Sequence, residues 1–292
     1  MKLRRISSTL NASVKDAARL RRKRDRYESR LFLAEGEDLL DAALARGVIP
    51  RQVFVLEGCE DLVAAGMAAA ERAAGGAAIP KVEPDASRAS VVLEVYACSR
   101  EVMAKLSGLG SGSRVIAVFG IPEREFPTDM SGLATGAAAR PLIYLAGVGD
   151  PGNVGTLIRS SAALGAAAVA LGPGTADPYS SKSLRATMGA IFQIPVFLTV
   201  DAEALVAWAE ASGVAVVCAD AHAGQAVWKA PLEGGFALVL GSEREGIPRR
   251  LLEAATSRVR IPQERETESM NVAMAGTAIM YEALRQRSPG RQ

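Results

Sequence analysis

The chain has 292 residues, of which 49% are hydrophobic and 23% charged, so it can bury a sizeable core and is long enough for two domains. No apolar run approaches the roughly 18 residues of a membrane span, and the basic N-terminal residues lack the apolar stretch of a signal peptide. We therefore expect a cytoplasmic protein without a membrane partner. Its 3 cysteines are widely spaced, which is typical of buried thiols in a reducing compartment, and a single histidine leaves no recognisable metal site.

The charge is unevenly distributed along the chain. The net charge is +2, but residues 1–30 hold eleven Lys and Arg against three acidic residues, which gives +8 there and −6 in the remainder. Such a concentration of cations is typical of a segment that binds a phosphate backbone, with a merely solvated basic helix as the alternative. The cations expected to make these contacts are Arg19, Arg21, Arg22, Lys23, Arg24 and Arg26.

Three short apolar segments predict strands in the first part of the chain, at residues 32–36, 52–58 and 114–120. Helical patterns at 37–47 and 61–76 separate them, so residues 1–120 are predicted to form a small α/β domain. Residues 121–140 lose periodicity and gather Pro, Gly, Ser and Thr, which is typical of a linker between domains.

Residues 141–292 show a second alternation of strands and helices. Six short apolar segments predict strands, namely PLIYLAGV, AAAVALG, IPVFLTV, GVAVVCAD, FALVLG and SRVRIP. Amphipathic segments separate nearly all of them, and this alternation predicts a parallel sheet covered on both faces. Ligands of such sheets lie beyond the C-terminal ends of the strands, so the loops there are the candidate sites.

The first of these loops, at residues 147–165, reads GVGDPGNVGTLIRSSAALG. Gly147, Gly149 and Gly152 match the G-x-G-x-x-G pattern of a dinucleotide fold, which makes a nicotinamide-dependent dehydrogenase the rival hypothesis. However, the following strand ends in ALGPG without the acid that would hold a ribose.

Two further loops carry polar residues, LVLGSEREGIP at 238–248 and RIPQERETESMN at 260–271. Thr267 or Ser269 suits an N-cap of the helix that follows. That helix is thin, with Val272, Ala275 and Gly276 on it, so we expect the backbone of another segment to approach it closely.

Together the three loops resemble the SpoU (TrmH-like) branch of the SPOUT superfamily, the RNA ribose 2'-O-methyltransferases. They occur in the family order and cover the C-terminal half, with Met270 where a leucine is common. Residues 11–44 are similar to the opening of the family's ribosomal-protein-L30e-like substrate-binding domain. The residues that match the three motifs are Asn153, Arg159, Gly241, Glu243, Gly246, Ile261, Pro262, Ser269 and Asn271.

This resemblance implies a deep trefoil knot in the C-terminal domain, S-adenosylmethionine as cofactor, no metal, and a homodimer with the active site at the subunit interface. It implies methylation of an RNA ribose, with 23S ribosomal RNA favoured over transfer RNA. A non-catalytic RNA-binding protein of the same fold is a further alternative, against which the intact set of motif residues argues. The cofactor-binding residues that it implies are Leu240, Gly241, Gly246, Ile261, Pro262, Met270, Asn271 and Ala273.

The implied catalytic residues have distinct chemistry. Asn153, Ser269 and Asn271 offer neutral hydrogen bonds, whereas Glu243 either caps its turn or binds an arginine across the site. Arg159 is either a buried ion-pair partner or an anion holder, and we favour a phosphate clamp because a guanidinium hardly ever loses its proton. His222 lies in a predicted exposed loop to which we assign no role.

Overall fold

The computed structural model describes residues 2–74, 93–108, 112–128, 140–264 and 270–288. Its strands are β1 (Lys2–Ile6), β2 (Leu31–Glu35), β3 (Gln52–Leu56), β4 (Glu94–Cys98), β5 (Val115–Gly120), β6 (Leu142–Ala146), β7 (Ala168–Leu171), β8 (Val196–Phe197), β9 (Ala215–Ala219), β10 (Gln225–Ala226), β11 (Phe236–Gly241) and β12 (Ser257–Arg260). Its helices are α1 (Ala12–Arg19), α2 (Lys23–Ser29), α3 (Glu37–Leu44), α4 (Asp61–Ala74), α5 (Arg100–Leu106), α6 (Pro151–Ala163), α7 (Ser181–Thr187), α8 (Ala202–Ser212), α9 (Arg249–Glu253) and α10 (Val272–Arg287).

The chain divides into two compact units. The first comprises Met1–Glu123 and Tyr179–Gln193, and the second comprises Arg124–Pro178 and Ile194–Gln292. No local pattern indicated that a segment around α7 belongs with the first unit. The division into residues 1–120, a linker at 121–140 and residues 141–292 stays a prediction, and residues 129–139 of that linker lie outside the described residues.

The first unit is built on a mixed sheet in the order β1-β4-β3-β5-β2. β1, β4 and β3 are parallel, and β5 runs antiparallel to β3 and β2. The sequence did not predict β1, because a charged edge strand that pairs through its main chain carries almost no hydrophobic pattern. The unit's second segment supplies aromatic side chains: Tyr179 and Phe192 lie with their ring centroids 4.8 and 6.2 Å from that of Phe32.

The second unit contains a seven-stranded sheet in the order β10-β12-β9-β11-β6-β7-β8, and every strand pair in it is parallel. The prediction of a parallel sheet is therefore confirmed. Alternate residues of a strand face opposite sides. Tyr144 and Val239 pack with Trp208 of α8 on one side. Leu240 faces the other side, where it meets Gly276 of α10.

The three cysteines are free thiols. Burial raises the pKa of both Cys98 and Cys218 to about 12, so these two stay protonated and unreactive near neutral pH. Cys59 is only partly buried. None of the helices in the described part of the chain is long and apolar enough to cross a membrane.

Candidate active site

A cavity of about 400 Å³ opens in the second unit at the C-terminal ends of β9, β11 and β12, which are neighbours in the sheet. Its position agrees with the expectation that the loops after parallel strands form the site. Much of the lining is apolar or main chain. The lining includes Ala219, Asp220, Ala221, Leu240, Gly241, Ser242, Glu243, Glu245, Gly246, Ile247, Ile261, Gln263, Met270, Val272 and Ala275.

Most of the predicted cofactor-binding positions lie at this cavity. The predicted residues that line it are Leu240, Gly241, Gly246, Ile261 and Met270. Pro262, Asn271 and Ala273 are not among the lining residues. Asp220 and its neighbours also line the cavity and were not predicted as site residues, although the strand GVAVVCAD that leads to them was predicted. This strand lies between β11 and β12 in the sheet, which brings its C-terminal end to the cavity. The order of strands in a sheet cannot be read from the sequence.

The loop after β11 folds back on itself at a tight turn. Ser242 and Gly246 exchange two main-chain hydrogen bonds, at 3.2 and 3.0 Å. A Cβ atom on Gly241 would lie 2.5–2.7 Å from main-chain atoms of Gly246 and Ile247, so only glycine fits there. The side chain that caps this turn is Ser242, whose Oγ accepts a hydrogen bond from the Glu245 amide at 2.9 Å. The alternative interpretation of Glu243 as the turn cap is therefore wrong.

Glu243 instead belongs to a chain of side-chain hydrogen bonds that joins the three motifs. Asn153 donates from Nδ2 to Glu243 Oε1 at 2.7 Å. Asn271 donates from Nδ2 to Asn153 Oδ1 at 3.1 Å. Asn153 is placed by the start of α6, where Asp150 is the N-cap and accepts from the Asn153 amide at 3.0 Å. Three predicted catalytic residues from distant parts of the sequence are thus brought together.

The N-cap of α10 is Asn271, and not Thr267 or Ser269. Asn271 Oδ1 accepts hydrogen bonds from the amides of Ala273 and Met274, at 2.9 and 3.2 Å. Its oxygen therefore satisfies the helix start while its amide group reaches Asn153. The predicted catalytic residue Ser269 lies outside the described residues.

Arg159 is exposed on α6, and within the described ranges no ion pair to it is formed. The alternative of a buried ion-pair partner is therefore wrong. The next residue, Ser160, accepts a hydrogen bond from Thr277 of α10 at 2.8 Å, which fixes this part of α6 against α10. Arg159 is not among the residues that line the cavity. Its guanidinium is free to bind an anion from solution or from a larger substrate.

The expected close approach to the thin helix occurs at Gly276. A Cβ atom there would lie 2.6 Å from Leu240 Cδ1 and 2.7 Å from Leu157 Cδ2. The approaching groups are leucine side chains of β11 and α6, whereas close approach by another backbone was expected. A trefoil knot in this region stays a prediction.

In the first unit, the predicted phosphate-binding cations separate into two groups. The exposed ones are Arg19, Arg21, Arg22, Lys23 and Arg24. Arg26 is only 4% exposed, and its Nη1 donates to the carbonyl oxygens of Leu20 and Arg21, at 2.8 and 2.9 Å. The prediction that Arg26 contacts phosphate is therefore corrected: it holds the turn between α1 and α2.

The charged residues of the cavity lining are Asp220, Glu243, Glu245 and Arg260, so its net charge is negative. Among the residues that the structure describes, no group of three or more His, Cys, Asp or Glu could hold a metal ion. His222 is exposed, and its amide donates to Asp220 Oδ1 at 2.9 Å.

The second unit has the fold of a SPOUT-type methyltransferase. Its cavity lies beyond the ends of the parallel strands, and hydrogen bonds join its three polar loops. The SpoU rRNA Methylase family model matches residues 140–281, and the MRM3-like substrate binding domain model matches residues 11–117. The chain belongs to the SpoU methylase family, which overturns the dehydrogenase hypothesis.

Relatives match over most of the chain. It is 29% identical over 279 residues to the 23S rRNA (guanosine(2553)-2'-O)-methyltransferase RlmP of Bacillus subtilis (strain 168), covering 96% of this chain and 98% of that one. It is 31% identical over 203 residues to an uncharacterized tRNA/rRNA methyltransferase of Mycobacterium tuberculosis (strain ATCC 25618 / H37Rv), covering 68% of each. The crystal structure of an AdoMet-bound rRNA methyltransferase from Sinorhizobium meliloti is 27% identical, has a TM-score of 0.80, and aligns over 98% of this chain and 99% of that one.

Proposed function

We propose that this protein transfers a methyl group from S-adenosylmethionine to a ribose 2'-hydroxyl of ribosomal RNA, most specifically of 23S RNA. The observation that carries the proposal is the hydrogen-bonded chain of Asn271, Asn153 and Glu243 beside the cavity. It unites the three family motifs in one place. The full-length relative that acts on 23S rRNA supports the choice of substrate.

The residues of the cavity fit the proposed cofactor. A volume of about 400 Å³ lies within the range of small-molecule sites, roughly 300–1,000 Å³. Leu240, Ile261 and Met270 offer apolar contact to an adenine ring, while main-chain groups of the same loops offer hydrogen bonds. When bound, the cofactor supplies the methyl group on a sulfonium. The acidic groups of the lining suit that positive charge.

The chain's own residues orient the reactants. The link from Asn271 through Asn153 to Glu243 holds the starts of α6 and α10 and the loop after β11 in fixed positions, which is the alignment that a direct transfer needs. Arg159 binds the phosphate next to the target ribose through its planar fork of donors. The proton of the 2'-hydroxyl then leaves to water or phosphate, since a guanidinium does not act as a base.

The exposed cations of α1, α2 and the turn between them recruit the RNA. Arg21 and Arg22 take part in no ion pair within the described residues, so their charge is available to phosphates, whereas Arg24 lies 3.3 Å from Glu28. The domain model that covers these helices is a substrate-binding one. Because the proposed substrate is ribosomal RNA, the enzyme acts in the cytoplasm.

We propose further that the second unit forms a homodimer through α10. Met274 and Tyr281 are 55% and 62% exposed and stand seven residues apart, so they share one face of the helix. A second copy would cover this apolar face, which lies on the helix that packs against the one carrying Arg159. Sedimentation equilibrium tests this: Met274→Glu with Tyr281→Glu should give monomers, and a wild-type monomer contradicts the proposal.

Methyl transfer to defined RNAs tests the function directly. Purified protein with labelled S-adenosylmethionine should methylate unmodified 23S RNA, and mapping should place the label on a ribose. Parallel reactions with 16S RNA and transfer RNA measure selectivity. Transfer to tRNA alone would contradict the ribosomal assignment, and binding of RNA without any transfer would favour a non-catalytic protein. Calorimetry should detect S-adenosylmethionine binding without added metal, and no binding of NAD.

A further inference from the structure

We propose that Asp220 binds the ribose hydroxyls of the cofactor and so positions it in the cavity, an inference that rests on the proposed function. Asp220 follows β9 and lines the cavity. None of the three family motifs includes Asp220. Its role is inferred from its carboxylate side chain and its position at the end of β9.

The sheet places Asp220 at the centre of the site. β9 pairs with β11 on one side and β12 on the other, with Cys218 opposite Val239 and Ala219 opposite Val259. Continuing this register puts Asp220 between Gly241 and Arg260. The Asp220 amide donates to the Val259 carbonyl at 3.0 Å, which holds it in that row.

The carboxylate of Asp220 is oriented and has acceptor capacity to spare. Its Oδ1 accepts from the His222 amide at 2.9 Å, which closes a turn and fixes the side chain. Within the described residues its Oδ2 has no hydrogen-bond partner. Asp220 is partly buried, whereas the other two carboxylates of the lining, Glu243 and Glu245, are exposed. Glu243 is also engaged by Asn153.

Among the parts of the cofactor, the ribose is the one that suits the Asp220 carboxylate. A carboxylate only accepts hydrogen bonds, and the adjacent hydroxyls of a ribose are two donors that suit it. Adenine, ribose and methionine follow one another in the cofactor, so a ligand held by the loops after β11 and β12 presents its middle part to the end of β9 between them. An acid at a strand end serves the same purpose in dinucleotide-binding sheets.

Calorimetry with two ligands tests the assignment. S-adenosylmethionine carries the ribose and the amino-acid group, while 5'-methylthioadenosine keeps the ribose and lacks the amino-acid group. Asp220→Asn retains an oxygen that accepts from the His222 amide, so the turn is preserved. We expect this variant to bind both ligands about 10- to 100-fold more weakly, the range for a hydrogen bond to a charged group. His222→Ala, in the same loop, is the matched control and should bind both ligands as the wild type does.

Each outcome has a distinct meaning. If the wild type binds no S-adenosylmethionine, the proposed function itself fails. If the wild type binds and Asp220→Asn binds both ligands equally well, the inference about Asp220 is overturned. A loss confined to S-adenosylmethionine would assign the carboxylate to the amino-acid group and also overturn it. If the variant fails to fold, the wild-type protein is tested with the 2'-deoxy and 3'-deoxy forms of methylthioadenosine. At least one of them must bind about 10-fold more weakly than methylthioadenosine itself. Equal binding of all three contradicts the proposal.

Discussion

Asn271 donates a hydrogen bond to Asn153 across 3.1 Å, and this contact joins the first turn of α10 to the first turn of α6. Asn271 also caps α10 through its side-chain oxygen. The side-chain oxygen of Asn271 therefore stabilises the helix, while its NH2 group links the helix to Asn153 in the site. The two tasks can be separated by substitution.

Asn271→Asp keeps an oxygen that accepts from the Ala273 and Met274 amides, and its negative charge suits a helix N-terminus. It cannot donate to Asn153, so we expect an unchanged melting temperature and methyl transfer reduced at least tenfold. Asn271→Ala should lose activity and also about 0.5–2 kcal/mol of unfolding free energy, because the cap is gone. Thermal unfolding and single-turnover transfer on both variants decide this. Full activity of Asn271→Asp would show that the link to Asn153 is dispensable.

Gly241 gives a test of the loop that lines the cavity. A Cβ atom there would meet main-chain atoms of Gly246 and Ile247, which cannot move aside as a side chain can. We therefore expect Gly241→Ala to displace the loop and weaken S-adenosylmethionine binding at least tenfold, measured by calorimetry. Gly224→Ala is the control, because a Cβ atom at that position meets nothing within 4 Å. If the two variants bind S-adenosylmethionine equally well, the loop after β11 does not form part of the binding site.

The sequence predicted the parallel sheet of the second unit because several of its strands, such as β6, β7 and β11, are buried on both faces and are continuous apolar runs. It also predicted the loops of the site, since each follows a predicted strand. It could not predict which loops would meet. The contact of Asn153 with Glu243 depends on β11 lying beside β6, an order that no local pattern encodes.

The errors at Arg26 and at the helix cap have a common cause. A dense cationic run is typical of an exposed face, and only the fold shows that one guanidinium turns inward to the carbonyls of Leu20 and Arg21. Likewise Thr267, Ser269 and Asn271 are all suitable N-cap residues, so the cap depends on where the helix begins. The residue types indicated which residues could cap the helix or bind phosphate, and only the structure shows which of them can do so.

The exposed cations of the first unit predict a salt-dependent affinity for RNA. Deleting residues 1–30 would remove β1 and the buried side chains of Val14 and Leu20, so substitution is the cleaner test. Arg21→Gln with Arg22→Gln should lower the slope of log affinity against log salt by about 0.7–0.9 for each phosphate that the variant no longer neutralises, while cofactor affinity stays constant.

The matched control for this test removes the same charge from the same unit. Arg46 and Arg114 are exposed, and Arg114 is paired with Glu37 at 2.7 Å. Arg46→Gln with Arg114→Gln should leave the salt slope near its wild-type value. If both double variants change the slope equally, net charge alone attracts the RNA, and Arg21 and Arg22 form no specific contact with it.

Arg159 separates catalysis from cofactor binding. Because it is exposed and lies outside the cavity lining, Arg159→Ala should leave the melting temperature and S-adenosylmethionine affinity unchanged. If the guanidinium clamps the phosphate beside the target ribose, turnover should fall by about 100-fold or more, because the hydroxyl loses its alignment. Arg159→Lys keeps the charge without the planar fork, so it should recover only a small part of the activity. Single-turnover transfer, calorimetry and thermal unfolding on the wild type and both variants test this, and near-normal turnover by Arg159→Ala would exclude Arg159 from the mechanism.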